Sequence, residues 1–207
     1  MRTSDLIQSK SNAWSKLIGN EYLKRAIEVS LTGQHPITII GNPDNGKEYI
    51  EEIFKSRVLD DDIFNENLLT FIYPCPCGNY SDNLQICNCS RDEIVNYLKT
   101  DTFRKAMKND IIVRLDTPPF SDYKSVAEAF SIVFSRIKNE VETYRTLAIH
   151  SDAMDLLKIA YAKFHFTICQ VERIENIAKT IAKMESPVIN IVQAHHMAES
   201  IQYQNIK

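Results

Sequence analysis

Four of the five cysteines of this 207-residue chain fall in two C-x-C pairs, Cys75-Pro76-Cys77 and Cys87-Asn88-Cys89, with ten positions from Cys77 to Cys87. Thiolates packed this closely can turn together onto one tetrahedral ion, at metal–sulfur distances of about 2.3 Å for Zn2+. Pro76 and Gly78 supply the bend that such neighbours need. Cys75, Cys77, Cys87 and Cys89 are therefore the candidate ligands of a structural zinc. One intervening residue is shorter than the spacing usual in zinc knuckles, so reduced packing cysteines and an adventitious redox pair are the alternatives. A lone Cys169 beside tight pairs does not resemble a secreted disulfide framework.

A second candidate site precedes the cysteines. Ile37-Thr38-Ile39-Ile40 is a short apolar run, and Gly41-Asn42-Pro43-Asp44-Asn45-Gly46-Lys47-Glu48 after it reads as G-x-x-x-x-G-K. A helical pattern follows through Tyr49, Ile50, Ile53 and Phe54. Between strand and helix, such a loop cradles phosphates with backbone N–H groups. Gly41, Asn45, Gly46, Lys47 and Glu48 are thus the candidate contacts for ATP or ADP with Mg2+. Two carboxylates oppose this. Glu48 stands where a hydroxyl ordinarily ligates Mg2+, and Asp44 lies where small neutral residues let phosphate approach. Unit charges about 4 Å apart at an effective dielectric near ~20 interact by about 4 kcal/mol, enough for either carboxylate to cancel Lys47. Glu48 acting itself as an oxygen ligand for Mg2+ is one alternative. A loop that has kept its fold and lost its ligand is the other. No apolar strand ending in paired acids is visible, since Leu59-Asp60-Asp61-Asp62 reads as a solvated turn and helix start. No general base for water is evident.

The elements that must position these residues follow from periodicity. Leu68 to Tyr73 reads as a buried strand delivering the cysteines to a loop, and Ser90 with Glu93 forms a capping box starting a helix through Ile94, Tyr97 and Leu98. Residues 110–115 read as a third strand, closed by Pro118-Pro119 at a domain boundary. Upstream, the polar residues 1–16 read as a surface wrap, and a helix over 20–32 carries Tyr22, Leu23, Ala26, Ile27 and Leu31 on one face, with Gly33 as its cap. Downstream the pattern is helical. Val126, Phe130, Val133, Phe134, Ile137, Val141 and Tyr144 share one face; Ser151 caps a helix with Met154, Leu157 and Tyr161. Ile168 to Ile181 form the next, broken at Ser186-Pro187, and Ala194, Met197, Ala198 and Ile201 mark the last. Adjacent His195 and His196 point to different sides of a helix and read as a solvated pair.

The predicted fold is α/β: a P-loop core over 1–118 with a Cys-rich loop over 74–90, then an all-α lid over 119–207. Net charge is −3, which gives no global drive toward nucleic acid. The chain opens on charge and has no apolar run approaching the ~18 residues of a membrane span, so a cytoplasmic protein with no membrane partner is expected.

These residues also resemble the magnesium chelatase ATPase family, most closely its bacterial ComM-type branch, AAA+ proteins associated with DNA branch migration. Ile18-Gly19-Asn20-Glu21, Lys24-Arg25-Ala26-Ile27-Glu28 and Gly33-Gln34-His35 resemble the stretch leading into that family's P-loop. Tyr73-Pro74-Cys75-Pro76-Cys77-Gly78 and Cys87-Asn88-Cys89 resemble its N-P-C-P-C-G and C-x-C signature, the most specific match. Residues 177–182 and 196–203 resemble its lid. The resemblance implies a nucleotide-driven AAA+ module, ring-like self-assembly or an AAA+ partner, and DNA as a substrate. The departures are multiple. The family's block carrying Walker B has no counterpart between about 58 and 66, its sensor-1 Asn is Tyr73, its arginine finger aligns with Asp110, and its sensor-2 Arg falls near Cys169. An arginine finger alone is worth roughly a thousandfold in rate. The expectation is a shortened, degenerate AAA+ module without efficient hydrolysis, sensing nucleotide or binding a partner. Its sheet should shrink to three parallel strands near 37–40, 67–73 and 111–116, with an edge to cap. An ATP-binding subunit of a DNA-processing assembly and a purely structural zinc protein are the alternatives.

Overall fold

The computed structural model describes residues 13–14, 17, 19–57, 68–82, 84–117, 147–186 and 188–205. The apolar stripe over 126–144 and the acidic turn at 59–62 lie outside the described residues. In chain order the elements are α1 (Glu21–Gly33), β1 (Ile37–Gly41), a 3-10 turn (Pro43–Asn45), α2 (Lys47–Arg57), β2 (Leu69–Ile72), α3 (Arg91–Leu98), α4 (Asp101–Ala106) and β3 (Ile111–Leu115). Then come β4 (Ala148–Ile149), α5 (Ser151–Phe164), α6 (Ile168–Glu185), β5 (Ile191–Val192) and α7 (Ala194–Gln202).

The predicted three-stranded parallel sheet is present in the order β2-β1-β3. Ile37 pairs with Leu69 on one side and with Ile111 on the other. Alternation along β1 divides the core. Ile37 and Ile39 face a large cluster with Ile27 of α1, Ile50 and Phe54 of α2, and Ile177 and Ile181 of α6. Ile40 faces the other way, with Ile72, Ile112 and Ala106, against Phe103 and Met107. On that second face the Thr38 hydroxyl donates to the Ala106 carbonyl at 2.6 Å and accepts from Asn109 at 2.9 Å, so its burial leaves no polar atom stranded. The short helix α4, which the periodicity did not reveal, starts at the Thr100 side chain.

α6 joins the two halves of the chain. Its Ile177 and Ile181 belong to the sheet's core, while Ile174, Ala178 and Ala182 belong to a second core with Leu157, Phe166, Val192, Met197 and Ile201. A Thr167–Gln170 capping box fixes where it begins. The downstream region is not wholly helical, because β4 and β5 form a two-residue parallel ladder.

Several expectations are corrected. Leu69 to Phe71 are half-buried, since β2 is at the edge of the sheet among the described residues. Ala13 and Trp14 of the expected surface wrap lie within the core, together with Leu17, because apolar bulk outweighs the polar residues around them. His150, not Ser151, caps α5, its side chain accepting from the Asp152 amide. Ile168 is 73% exposed, as the first residue of α6 lies beyond the helices that cover its later turns.

Gly33 is the last residue of α1 rather than its cap, and the left-handed position (φ 52°) falls to Gln34. The glycine is required for space: a Cβ there would meet the His35 ring and lie 2.6 Å from Thr180 Oγ1. His35 contacts Thr180 Oγ1 through Nε2 at 2.8 Å and Asp110 through Nδ1 at 3.3 Å, and Asp110 also pairs with Arg173 of α6 at 3.4 Å. Asp110, aligned by resemblance with an arginine finger, thus belongs to the polar joint between sheet and α6. The free edge of β3 is covered, since Ile112 N donates to Tyr203 O at 3.1 Å. Gly33→Ala should overpack this joint and cost about 1–3 kcal/mol in chemical unfolding, with the circular dichroism of the native protein unchanged.

Candidate metal centre

The chain leaves β2 at Ile72 and turns at once. Gly78 N donates to Cys75 O at 3.0 Å, closing a turn with Pro76 at its second position. Gly78 takes φ 84°, and a Cβ there would lie 3.1 Å from the Tyr73 ring. The second pair arrives through residues 84–89, and the Ser90–Glu93 capping box then starts α3, as the spacing predicts.

All four thiols come together. The Cys75–Cys77, Cys77–Cys87 and Cys75–Cys87 sulfurs are 3.4, 3.6 and 3.8 Å apart. Including Cys89, all four Sγ atoms lie within 4.8 Å of one another. A regular tetrahedron with metal–sulfur bonds of about 2.3 Å has edges of about 3.8 Å, so the set fits one ion with little movement. None is in a disulfide; Cys75 is buried, Cys87 and Cys89 are half-buried and Cys77 is exposed. Cys169, also exposed, stands apart from the set.

The surroundings treat the sulfurs unequally. The Asn79 amide, helped by that of Asn88 and by neighbouring thiols, outweighs desolvation and brings Cys77 down to about 6. Loss of solvent contact pushes Cys89 up to about 12, with the Cys77 and Cys75 groups adding to it against the Cys77 amide. Cys87 is raised as well: the Cys89 amide favours its thiolate, but desolvation and the neighbouring Cys77 and Cys75 outweigh it. One thiolate therefore forms easily and opposes the others, an opposition that a divalent cation among the sulfurs would relieve.

The G-x-x-x-x-G-K loop has a different character. Asp44 N donates to Asn42 Oδ1 at 3.1 Å, Asn45 N to Asn42 O at 3.0 Å, and Gly46 N to Pro43 O at 3.2 Å. Pro43 has no N–H to offer. Lys47 pairs with Glu51 at 3.5 Å and lies over the Phe71 ring at 5.7 Å. The concavity here, about 400 Å³, is lined by Pro43, Asp44, Gly46, Lys47, Glu48 and Glu51. That places three carboxylates beside one ammonium. Both glycines have packing reasons: a Cβ on Gly41 would stand 2.5 Å from Leu115 O, and Gly46 sits at φ 127° against Leu17.

Sequence spacing did not reveal the contacts between the two loops. Asn42 Nδ2 donates to Asn79 Oδ1 at 3.3 Å. Asn45 Nδ2 donates to Thr117 Oγ1 at 2.8 Å, and that hydroxyl donates to Asp82 Oδ2 at 2.8 Å. Arg114 donates to the Tyr80 and Ser81 carbonyls at 3.0 and 3.1 Å. Partners more than thirty positions apart leave no local signal. The histidine pair is also corrected: His195 and His196 Nε2 each lie 2.7 Å from Glu185 Oε2, and His196 is buried. His196 Nδ1 accepts from Gln193 N at 2.9 Å, which places the proton of the neutral ring on Nε2, facing Glu185. A metal at Nε2 would have to break that cap, so a helix clamp fits this trio better than an ion.

Compared with known proteins, the chain matches no family model and no curated protein. No described helix is long and apolar enough to cross a membrane.

The purified protein should carry one divalent ion per chain, and Cys77→Ser, at an exposed position, should lose it. Added metal at a thousand times Kd should raise wild-type stability by about 4 kcal/mol and leave the variant unmoved. Because the raised Cys87 and Cys89 thiols must shed their protons to ligate, uptake should release protons and affinity should weaken as pH falls. Calorimetry in buffers of different ionisation enthalpy measures this release.

Proposed function

We propose that this protein is a zinc-stapled, degenerate AAA+ module of magnesium chelatase or ComM type that binds a partner rather than hydrolysing ATP. One observation carries the reading. The amides of Asp44, Asn45 and Gly46 are spent within their own turn while Lys47 is held by Glu51. A phosphate would have to open the turn, break the ion pair and enter beside Asp44, Glu48 and Glu51. Zn2+ is the ion that a closed set of four thiolates in tetrahedral array suits best. It would serve as a structural staple, with Cys75, Cys77, Cys87 and Cys89 holding it.

The surface supports a role in binding. None of the residues of α3 is buried, and Leu84 and Ile86 beside the thiols are 57% and 81% exposed. Apolar groups gathered like this mark interaction sites. The partner in this reading is an intact AAA+ protein or a second copy of the chain, met at the face that carries the metal. Neither Walker B, nor sensor groups, nor an arginine finger is carried over from the resemblance.

Calorimetry with ATP and with ADP, with and without Mg2+, on protein of measured zinc content, should give no heat of binding at millimolar nucleotide. Lys47→Ala should match the wild type in stability with or without ATP. Micromolar binding abolished by Lys47→Ala, without turnover, would make the loop a nucleotide sensor. DNA-stimulated hydrolysis lost in that variant would replace the reading with an ATP-dependent DNA-processing subunit.

A further inference from the structure

The two candidate sites are not independent. Residues 78–82 and 84–85, which make up most of the interval between the two C-x-C pairs, carry the contacts that hold the Lys47 loop. Asn79 accepts from Asn42 at 3.3 Å, and Asn42 in turn receives the Asp44 and Asn45 amides at 3.1 and 3.0 Å. Asp82 takes the Thr117 hydroxyl at 2.8 Å, and that oxygen accepts the Asn45 side chain at 2.8 Å. Asp82 also accepts from the Leu84 and Gln85 amides at 2.8 Å each, so its carboxylate is fixed by the loop that leads to Cys87.

One route ends on Asn42 and the other on Asn45, and both begin between the two cysteine pairs. Asn79 is doubly placed. Its amide favours the Cys77 thiolate while its side chain receives Asn42. A loop of this length with few buried residues has little of its own to hold it: Tyr80, Leu84, Gln85 and Ile86 are all exposed. Arg114 reaches the Tyr80 and Ser81 carbonyls and Thr117 reaches Asp82, and the meeting of the four sulfurs closes the loop at its two ends.

We infer that the metal centre is a latch on the Lys47 loop: an ion held by the four thiolates fixes residues 78–82, and Asn79 and Asp82 there hold Asn42 and Asn45 in the closed turn. This deepens the zinc reading and rests on it. With the ion in place the turn's amides stay engaged and Lys47 stays with Glu51. When the ion leaves, residues 78–82 lose their closure, the two asparagines lose their outside partners, and the turn at the start of α2 opens. Metal occupancy thereby sets the surface presented at the C-terminal ends of β1, β2 and β3, where parallel sheets ordinarily meet their ligands.

Hydrogen exchange of the full chain, zinc-loaded and chelator-stripped, with zinc quantified in each sample, tests this. Stripping should speed exchange at 44–46 by at least about tenfold while the amides of 174–182 in α6 keep their protection. The double variant Asn79→Ala with Asp82→Ala retains all four thiols. It should bind zinc one to one and yet exchange at 44–46 as fast as stripped wild type. If wild type binds zinc and protection at 44–46 is the same with and without it, the latch is wrong and the metal centre stands. Failure to bind zinc at all overturns both. Deprotection that extends equally to α6 also overturns the latch, because the ion would then hold the whole fold. A zinc-loaded double variant that keeps wild-type protection at 44–46 would do the same.

Discussion

A parallel sheet of three strands has more surface to cover than it can cover by itself, and the arrangement of this protein answers that constraint. One face is closed by α1, α2 and α6, the other by α4. The outer edge of β3 is taken by the backbone of Tyr203 at the end of α7. The C-terminal ends of the strands are left to loops, and loops hold position only through hydrogen bonds and covalent or metal closure. That is where the four sulfurs meet.

The division of α6 between two cores makes the rest of the chain follow the sheet. Ile177 and Ile181 on one side and Ile174, Ala178 and Ala182 on the other leave the helix no freedom to rotate without exposing one set. The joint of His35, Asp110, Thr180 and Arg173 then fixes its height along the sheet. Polar groups in such a place add registry because each has few acceptable partners. Gly33 is the small residue that lets the joint close.

The same logic separates two loops that look alike in their chemical promise. The cysteine loop gathers unsatisfied demand: thiols crowded together, one drawn toward thiolate and two pushed away from it. In the Lys47 loop the amides of Asp44, Asn45 and Gly46 are already engaged within their own turn. A site that is to take a ligand keeps its groups directed at the place where the ligand will sit, as the four sulfurs do. The acidic lining of the second reinforces this, since its three carboxylates face any incoming anion.

Local sequence determined the strands, the capping box at Ser90 and Glu93, and the convergence of the cysteines. Each rests on neighbours: β-branched runs, a side chain reaching three residues ahead, and paired thiols separated by one bend. The parallel order of the three strands was expected from the resemblance rather than from periodicity. What only the tertiary structure decided lies in contacts that spacing cannot encode. Trp14 is core despite its polar surroundings, His196 is buried on Glu185 rather than solvated, and Ile168 is exposed at the head of an otherwise apolar stripe. The glycines at 33 and 41 looked like a cap and a phosphate contact, yet each is there because another element comes too close for a Cβ. The Lys47 motif shows the reason most plainly. A backbone amide presents the same letter in the sequence whether it faces a phosphate or its own turn, and only the folded chain shows that those of Asp44, Asn45 and Gly46 turn to Asn42 and Pro43.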